Sequence, residues 1–231
     1  MSVTETTRTL PRFDGGTFAV TETTAGARAP GLVVVSSVYG VTPDLRSTMA
    51  RYAAHGFIVA APEMFSRTVP GALGQSETER TQARGRLDGF DFAAGMADVK
   101  TVMDALRARP DCTGKIAVMG YCFGGEFAYV ATYELGAAAA IALHGVAIGK
   151  HVADAGRVTV PMSLHFGGDD RFVPAEEVAA IEAAHTSQPD VEIYVYPGAK
   201  HGFAQSDSAA YEAPAAHLSE ERALAMLERL K

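Results

Sequence analysis

The stretch MGYCFGGEFAYV, residues 119–130, changes character in its middle. A β-type run, KIAVM, leads into it, and a helix-type run follows it. The turn between them places Gly120 and Gly124 two positions on either side of Cys122. A turn this sharp strains the backbone of its central residue, and larger side chains at the two flanking positions would collide.

Cys122 is therefore predicted to stand clear of the strand, at the N-terminal end of the following helix. The partial positive charge at that end favours a thiolate, which is the reactive form of a cysteine side chain. We predict that Cys122 is a nucleophile. A buried cysteine in an ordinary strand-to-helix turn is the alternative that this short motif alone leaves open.

Strand-like and helix-like runs alternate along the whole chain. Apolar, β-branched runs predict strands at residues 31–37, 57–62, 115–120, 138–145, 160–167 and 191–198. Helical patterns occupy residues 42–56, 76–109, 124–136, 174–187 and 213–230. This alternation predicts an α/β fold, a mostly parallel central sheet with helices on both faces. Residues 15–24 are predicted to add an antiparallel edge strand, and residues 1–231 to form a single domain.

The composition is that of an ordinary globular protein, with 48% hydrophobic and 20% charged residues among 231. A formal net charge of -7 gives no overall field that would attract nucleic acid or an anionic membrane, so neither is expected as a partner. The sequence has no apolar run long enough to span a membrane and no signal-peptide pattern at its start, which predicts a cytoplasmic protein.

Cysteine usage and motif spacing give no sign of a disulfide, a metal or a cofactor. Cys112 and Cys122 flank one predicted strand, which holds them too far apart to be joined, so both are expected to be free thiols. The sequence contains no H-E-x-x-H, C-x-x-C or G-x-G-x-x-G motif. We therefore expect no metal and no cofactor.

Two later turns also follow predicted strands and carry polar side chains. HFGGDDRFVP, residues 165–174, contains Asp169 and Asp170, either of which could orient a histidine ring or cap the next helix. YPGAKHGFA, residues 196–204, carries His201, which alone fits a surface role as well as a catalytic one. Nucleophile, acid and histidine nevertheless follow the chain order of the α/β-hydrolase triad, with cysteine in place of serine.

Taken together, these motifs resemble the dienelactone hydrolase family, cysteine-dependent α/β-hydrolases also called carboxymethylenebutenolidases. The resemblance spans nearly the whole chain, through YGV (39–41), AAPEMFSR (60–67), GKIAVMGYCFGG (114–125), HFGGDDRFVP and YPGAKHGFA. It implies an α/β-hydrolase fold and hydrolysis of an enol-lactone or a related small ester through an acyl-thioester. It also implies a triad of Cys122, Asp170 and His201, since Asp170 stands at the family's acid position.

Further site residues follow from this resemblance and from the chemistry of the triad. Backbone N–H groups of Val38 and Phe123 are expected to hold the oxyanion. Arg80 matches one of two arginines that grip the substrate carboxylate in the family, and Tyr39 is also expected to contact the substrate. Arg84, one helical turn from Arg80, could supply the second charge, although a solvated helix face explains both arginines.

The chain departs from the family pattern at two positions. Ser37 stands where the family has a glutamate beside the resting thiol, and Gln205 stands where it has the second arginine. Both departures favour an alternative function, an esterase or thioesterase acting on a different, neutral acyl substrate. An alternative of another class is a thiol redox sensor or small-molecule binder without turnover.

The expected partner is a small-molecule lactone or ester, and the expected assembly is a monomer or weak homodimer. Three polar residues at predicted strand ends, Glu63, His144 and His165, could line the pocket, but structural roles with their hydrogen bonds satisfied are expected for each.

Overall fold

The computed structural model of the protein describes residues 2–231. The strands are β1 (Thr4–Pro11), β2 (Thr17–Thr24), β3 (Ala29–Val35), β4 (Ile58–Pro62), β5 (Cys112–Tyr121), β6 (Ala139–Leu143), β7 (Met162–Gly167) and β8 (Val191–Tyr196). The α-helices are α1 (Pro43–Ala54), α2 (Glu77–Gly85), α3 (Phe92–Arg107), α4 (Phe123–Glu134), α5 (Ala175–His185) and α6 (Ala213–Glu228). A 3₁₀ helix (Ile148–Arg157) follows β6.

The strands form one eight-stranded sheet in the order β1-β2-β4-β3-β5-β6-β7-β8. β2 pairs antiparallel with β1 and with β4, whereas β3 with β4 and each successive pair from β5 to β8 are parallel. The predicted α/β fold with a mostly parallel sheet is confirmed. By internal contacts the chain divides into two compact units, one ending at Ile116 and one running from Ala117 to Lys231. That residues 1–231 form a single domain stays a prediction.

The first unit is built on β3 and β4, in which every residue is buried, as expected for strands covered on both faces. Side-chain caps start its three helices, and Ser76 caps α2. Thr42 accepts a hydrogen bond from the first turn of α1, and Asp91 does the same for α3. Arg67 bridges two acids. Both of its terminal nitrogens donate to the buried Asp98 of α3, and its Nε donates to Asp14 at 2.7 Å.

The second unit positions the chemistry. β6 reads AAIAL and is entirely buried, and its small side chains let α4 and α6 pack closely against it. Because β5, β6 and β7 are parallel, the residues that follow them emerge at one edge of the sheet. Cys122 follows β5, His144 follows β6, and Asp170 lies in the loop after β7.

The elements differ from the sequence prediction in four places. The antiparallel strand predicted at the sheet edge is β2, which is not at the edge because it lies between β1 and β4. The single helical run at 76–109 is wrong, because Gly89 adopts a positive φ of 71° and Asp91 caps a new helix, which separates α2 from α3. β1 was not predicted, since its threonines and charged residues form no apolar run. The 3₁₀ helix was not predicted either. Within residues 2–231, none of the helices is long and apolar enough to cross a membrane.

Candidate active site

Cys122 lies on the turn between β5 and α4 with φ 52° and ψ −114°. A positive φ costs a non-glycine residue about 1–2 kcal/mol, so neighbouring contacts must hold it. Its N–H donates to the carbonyl of Leu143 at 3.1 Å, and its carbonyl accepts the N–H groups of Gly125 at 2.9 Å and Val146 at 3.1 Å. The end of β6 and the first turn of α4 thus maintain the strained conformation.

Glycines make this turn possible. A Cβ on Gly120 would lie 1.9 Å from the carbonyl oxygen of Gly124, which confirms the steric reason for a glycine there. A Cβ on Gly125 would lie 2.3 Å from the Cα of Gly145, so these two glycines bring α4 against the loop after β6. Among the residues that the structure describes, no side chain caps the N-terminus of α4. The positive end of the helix therefore lies at Cys122 itself.

Asp170 and His201 form a hydrogen-bonded pair. Nδ1 of His201 lies 2.7 Å from Oδ2 of Asp170, whose carboxylate is fully buried. Its second oxygen accepts the N–H of Phe172 at 2.8 Å. Asp169 is exposed, so Asp170 is the acid that meets the histidine.

Backbone contacts hold together the two loops that carry this pair. The N–H of Gly168 donates to the carbonyl of Tyr196 at 2.8 Å, and that of Asp169 donates to the carbonyl of Ala199 at 2.9 Å. A Cβ on Gly167 would lie 2.4 Å from the oxygen of Ala199. The two glycines of the GGDD motif therefore allow the loop of the acid to approach the loop of the histidine.

The pKa of His201 reflects competing effects. Burial alone lowers this pKa, but the hydrogen bond to Asp170 and the interaction with the neighbouring Cys122 outweigh burial and raise it to about 9. Since Asp170 occupies Nδ1, Nε2 is the ring atom available to the cysteine. The ring is therefore an imidazolium at neutral pH, beside a partly exposed thiol. Such a group can stabilise a thiolate and later give up a proton.

The remaining predicted site residues lie on several elements. Phe123 is the buried first residue of α4, and Gln205 is buried in the loop after β8. The other five predicted site residues belong to the first unit. Ser37 is buried, and Val38 and Tyr39 are half-buried. Arg80 and Arg84 are exposed on α2. Contacts within the second unit bring together Cys122, Asp170 and His201. The catalytic and substrate-binding roles of all these residues stay predictions.

Two aromatic rings flank His201 and were not predicted to do so. Phe172 and His144 approach it edge-on, with ring centroids 4.8 and 4.9 Å away. Phe172 is 52% exposed, whereas His144 is completely buried. The expectation that the hydrogen bonds of His144 are satisfied is wrong, because among residues 2–231 neither of its ring nitrogens finds a partner. No pattern in the sequence marks either contact.

The same expectation is confirmed for the other two residues. Nδ1 of His165 lies 2.9 Å from the Tyr196 hydroxyl, and its Nε2 lies 3.1 Å from that of Ser163. Glu63 accepts backbone N–H groups of Phe65 at 3.2 Å and Gly71 at 2.9 Å.

Comparison with known proteins identifies the family. The chain matches the model of the dienelactone hydrolase family over residues 16–231. It belongs to the dienelactone hydrolase family. One relative, the carboxymethylenebutenolidase of Pseudomonas putida, is 32% identical over 225 residues, which cover 96% of this chain and 95% of the relative. Carboxymethylenebutenolidase 1 of Cupriavidus pinatubonensis is 30% identical over 205 residues, covering 88% and 87%.

Solved structures agree in fold. The dienelactone hydrolase-like promiscuous phosphotriesterase P91, from metagenomic libraries, superposes with a TM-score of 0.81 at 23% identity over 98% of both chains. The dienelactone hydrolase of Anabaena variabilis superposes with a TM-score of 0.72 at 19% identity over 99% of both chains. The α/β-hydrolase fold is thereby confirmed. As a member of the dienelactone hydrolase family, the protein is a hydrolase of small esters or lactones.

Proposed function

We propose that the protein hydrolyses enol-lactones of the dienelactone type, or related small esters, with Cys122 as the nucleophile. One observation carries this proposal. The Asp170–His201 pair lies beside a cysteine that is held at a positive φ at a helix N-terminus. An inert structural cysteine would require neither the strained turn nor the charged imidazole.

In the first half of the reaction, the thiolate of Cys122 attacks the carbonyl carbon of the substrate. The bond from that carbon to the leaving oxygen breaks, and the imidazolium of His201 donates its Nε2 proton to this oxygen. An acyl-thioester then links the acyl group to Sγ. Asp170 keeps Nδ1 of the imidazole engaged, so that Nε2 is the atom that transfers the proton.

In the second half, the neutral imidazole of His201 accepts a proton from water as the water oxygen attacks the thioester carbon. The carbon–sulfur bond breaks and the carboxylic acid is released. Sγ leaves as a thiolate beside the newly protonated imidazole, so the starting pair is restored.

Charge develops on the carbonyl oxygen in both halves. We assign its stabilisation to the backbone N–H of Phe123, which begins α4 directly after the nucleophile, and to that of Val38. Loss of one such donor costs about 3 kcal/mol of transition-state stabilisation in enzymes of this kind. The role of Val38 rests on the family resemblance.

Ser37 and Gln205 bear on the choice of substrate. They stand where the family has a glutamate and a substrate-binding arginine, which leaves Arg80 and Arg84 as the proposed carboxylate contacts. The alternative substrate is therefore a neutral ester or thioester. Comparing kcat/KM for a dienelactone with that for neutral p-nitrophenyl esters decides between them, and Arg80→Ala should reduce only the rate with the anionic substrate.

The nucleophile is tested by comparing Cys122→Ala with Cys112→Ser, using dienelactones and p-nitrophenyl esters as substrates. We expect Cys122→Ala to lose about 10³-fold or more in kcat and Cys112→Ser to match wild type. Mass spectrometry of the quenched wild-type reaction should detect an acyl group on Cys122. A Cys122→Ala variant that keeps more than a few per cent of the activity would contradict the assignment. Absence of turnover and of the acyl adduct would favour a redox or binding role.

A further inference from the structure

His144 occupies an unfavourable position at the end of β6. Its φ is 41°, a left-handed conformation that a non-glycine residue seldom adopts. Its N–H donates to the carbonyl of His165 at 2.7 Å, which extends the pairing of β6 with β7 by one residue and holds the backbone in place. Residues strained in this way concentrate at functional sites.

The side chain adds a second unfavourable feature. Its ring is completely buried, and within residues 2–231 neither Nδ1 nor Nε2 has a hydrogen-bond partner. A buried imidazole without partners is less stable than an apolar ring of the same shape, because its polar atoms lose their hydration and gain nothing in return. His165 shows the ordinary arrangement, with both of its nitrogens bonded.

The ring environment of His144 suggests what its polarity does. Three rings surround it: His201 at 4.9 Å between centroids, Phe203 at 5.8 Å and Tyr121 at 6.0 Å. Of these, His201 is the one that gains and loses a proton in the proposed reaction. The other titratable groups against His201 are Asp170, from the loop after β7, and Cys122, from the turn after β5.

The two neighbouring histidines take opposite charge states. Burial, together with the charge on His201, holds the pKa of His144 well below its ordinary value, whereas the pKa of His201 is raised to about 9. Over the neutral range His144 is thus a neutral dipole beside an imidazolium. A weak interaction of the ring with its own backbone opposes these two effects. Because within residues 2–231 neither ring nitrogen is hydrogen-bonded to another residue, the ring can adopt the tautomer whose lone pair lies nearer the positive charge.

We propose that His144 is a positioning residue that stabilises the imidazolium form of His201 through the dipole of its neutral ring. The neutral ring of His144 can take the tautomer that turns the negative end of its dipole toward the imidazolium, as water molecules do around an exposed cation. In this proposal the nitrogens of His144 lack partners because they interact with the charge on His201. The inference deepens the proposed function, since it concerns the proton that His201 gives to the leaving group.

Two substitutions separate the dipole from the shape. His144→Phe keeps an aromatic ring and removes both nitrogens, whereas His144→Asn keeps a dipolar group and suits a positive φ. The titration of His201 is followed by NMR of the imidazole Cε1–H, with no substrate present. His165→Phe, at a histidine whose ring does not contact His201, is the matched control.

We expect His144→Phe to lower the titration midpoint of His201 by about 0.5–1 pH unit, which corresponds to the loss of one polar interaction of about 1 kcal/mol. The midpoints of His144→Asn and His165→Phe should stay close to wild type, and His144→Phe should unfold at the same or a higher temperature. An unchanged midpoint in His144→Phe, or an equal fall in both His144 variants, would overturn the proposal. Should the Phe variant not fold, His144→Leu takes its place as the variant without a dipole: a lowered midpoint supports the proposal and an unchanged one overturns it. These outcomes do not depend on ester hydrolysis, so they are separate from the test of the proposed function.

Discussion

Asp170 uses one oxygen for His201 and the other for the N–H of Phe172, which fixes the carboxylate in one orientation. In Asp170→Asn the amide can no longer hold the same tautomer of the imidazole, so we expect kcat to fall by about 10⁴-fold with the fold intact. Asp169→Asn changes the exposed neighbouring acid and should keep the wild-type rate. Steady-state kinetics with a p-nitrophenyl ester, together with circular dichroism, measure both variants. Equal losses would contradict the assignment of the acid.

The raised pKa of His201 also couples folding to pH. Its value of about 9 lies above the ordinary 6.5, so the folded protein binds this proton more tightly than the unfolded chain. The resulting stabilisation is complete below about pH 6.5 and is lost as the pH rises through about 9. Urea denaturation should therefore show the stability advantage of wild type over His201→Gln shrinking across that interval. A constant difference between the two proteins would contradict the expected sign.

The residues of the candidate site were predictable to the extent that local motifs mark them. Cys122, Asp170 and His201 each follow a strand in a glycine-containing turn, and parallel strands bring such turns to one edge. The rings against His201 carry no such mark. His144 reaches His201 from a different turn, and whether their rings meet depends on how closely the loops approach, which periodicity does not encode.

Among the elements, the turn between β5 and α4 tolerates the least change. Gly120→Ala would place a methyl group 1.9 Å from the Gly124 carbonyl oxygen, so we expect the unfolding free energy to fall by about 3 kcal/mol and activity to be lost. Gly156→Ala is the control, because a Cβ there meets nothing within 4 Å. Chemical denaturation and kinetics compare the two proteins. Similar stability in both would show that the turn relaxes around a side chain.

The sequence predicted buried elements better than exposed ones. Apolar runs gave β3, β4, β6 and β7 to within a few residues, since strands buried on both faces must be almost continuously apolar. β5, exposed near its start, and β8, which is mostly half-buried, were found from their β-branched and apolar residues. β1 escaped prediction because it is held by pairing with β2 and buries little of its own surface. The break between α2 and α3 depends on the positive φ of Gly89 and on Asp91, which caps α3. The sequence did not reveal this break because the segments on both sides have a helical pattern.

On the scale of the whole molecule, the proposed triad lies in the second unit and a buried ion pair stabilises the first. Asp98 is almost completely buried against Arg67 and raises the pKa of that guanidinium further above its ordinary range. Asp98→Ala leaves Arg67 without its buried partner, and we expect a loss of about 3 kcal/mol in unfolding free energy. Asp14→Ala removes the exposed partner and should cost much less. Urea denaturation measures both, and equal small effects would show that burial of the pair contributes little.

The exposure of β1 has a consequence for motion. Six of its eight residues are exposed, Leu10 alone is buried, and the strand pairs only with β2 at the edge of the sheet. Few apolar contacts must break for it to detach, so its amides open through local fraying at a free energy far below that of global unfolding. In deuterium exchange, β1 should take up label early, while the amides of β5 and β6, adjacent to Cys122 and His144, exchange last.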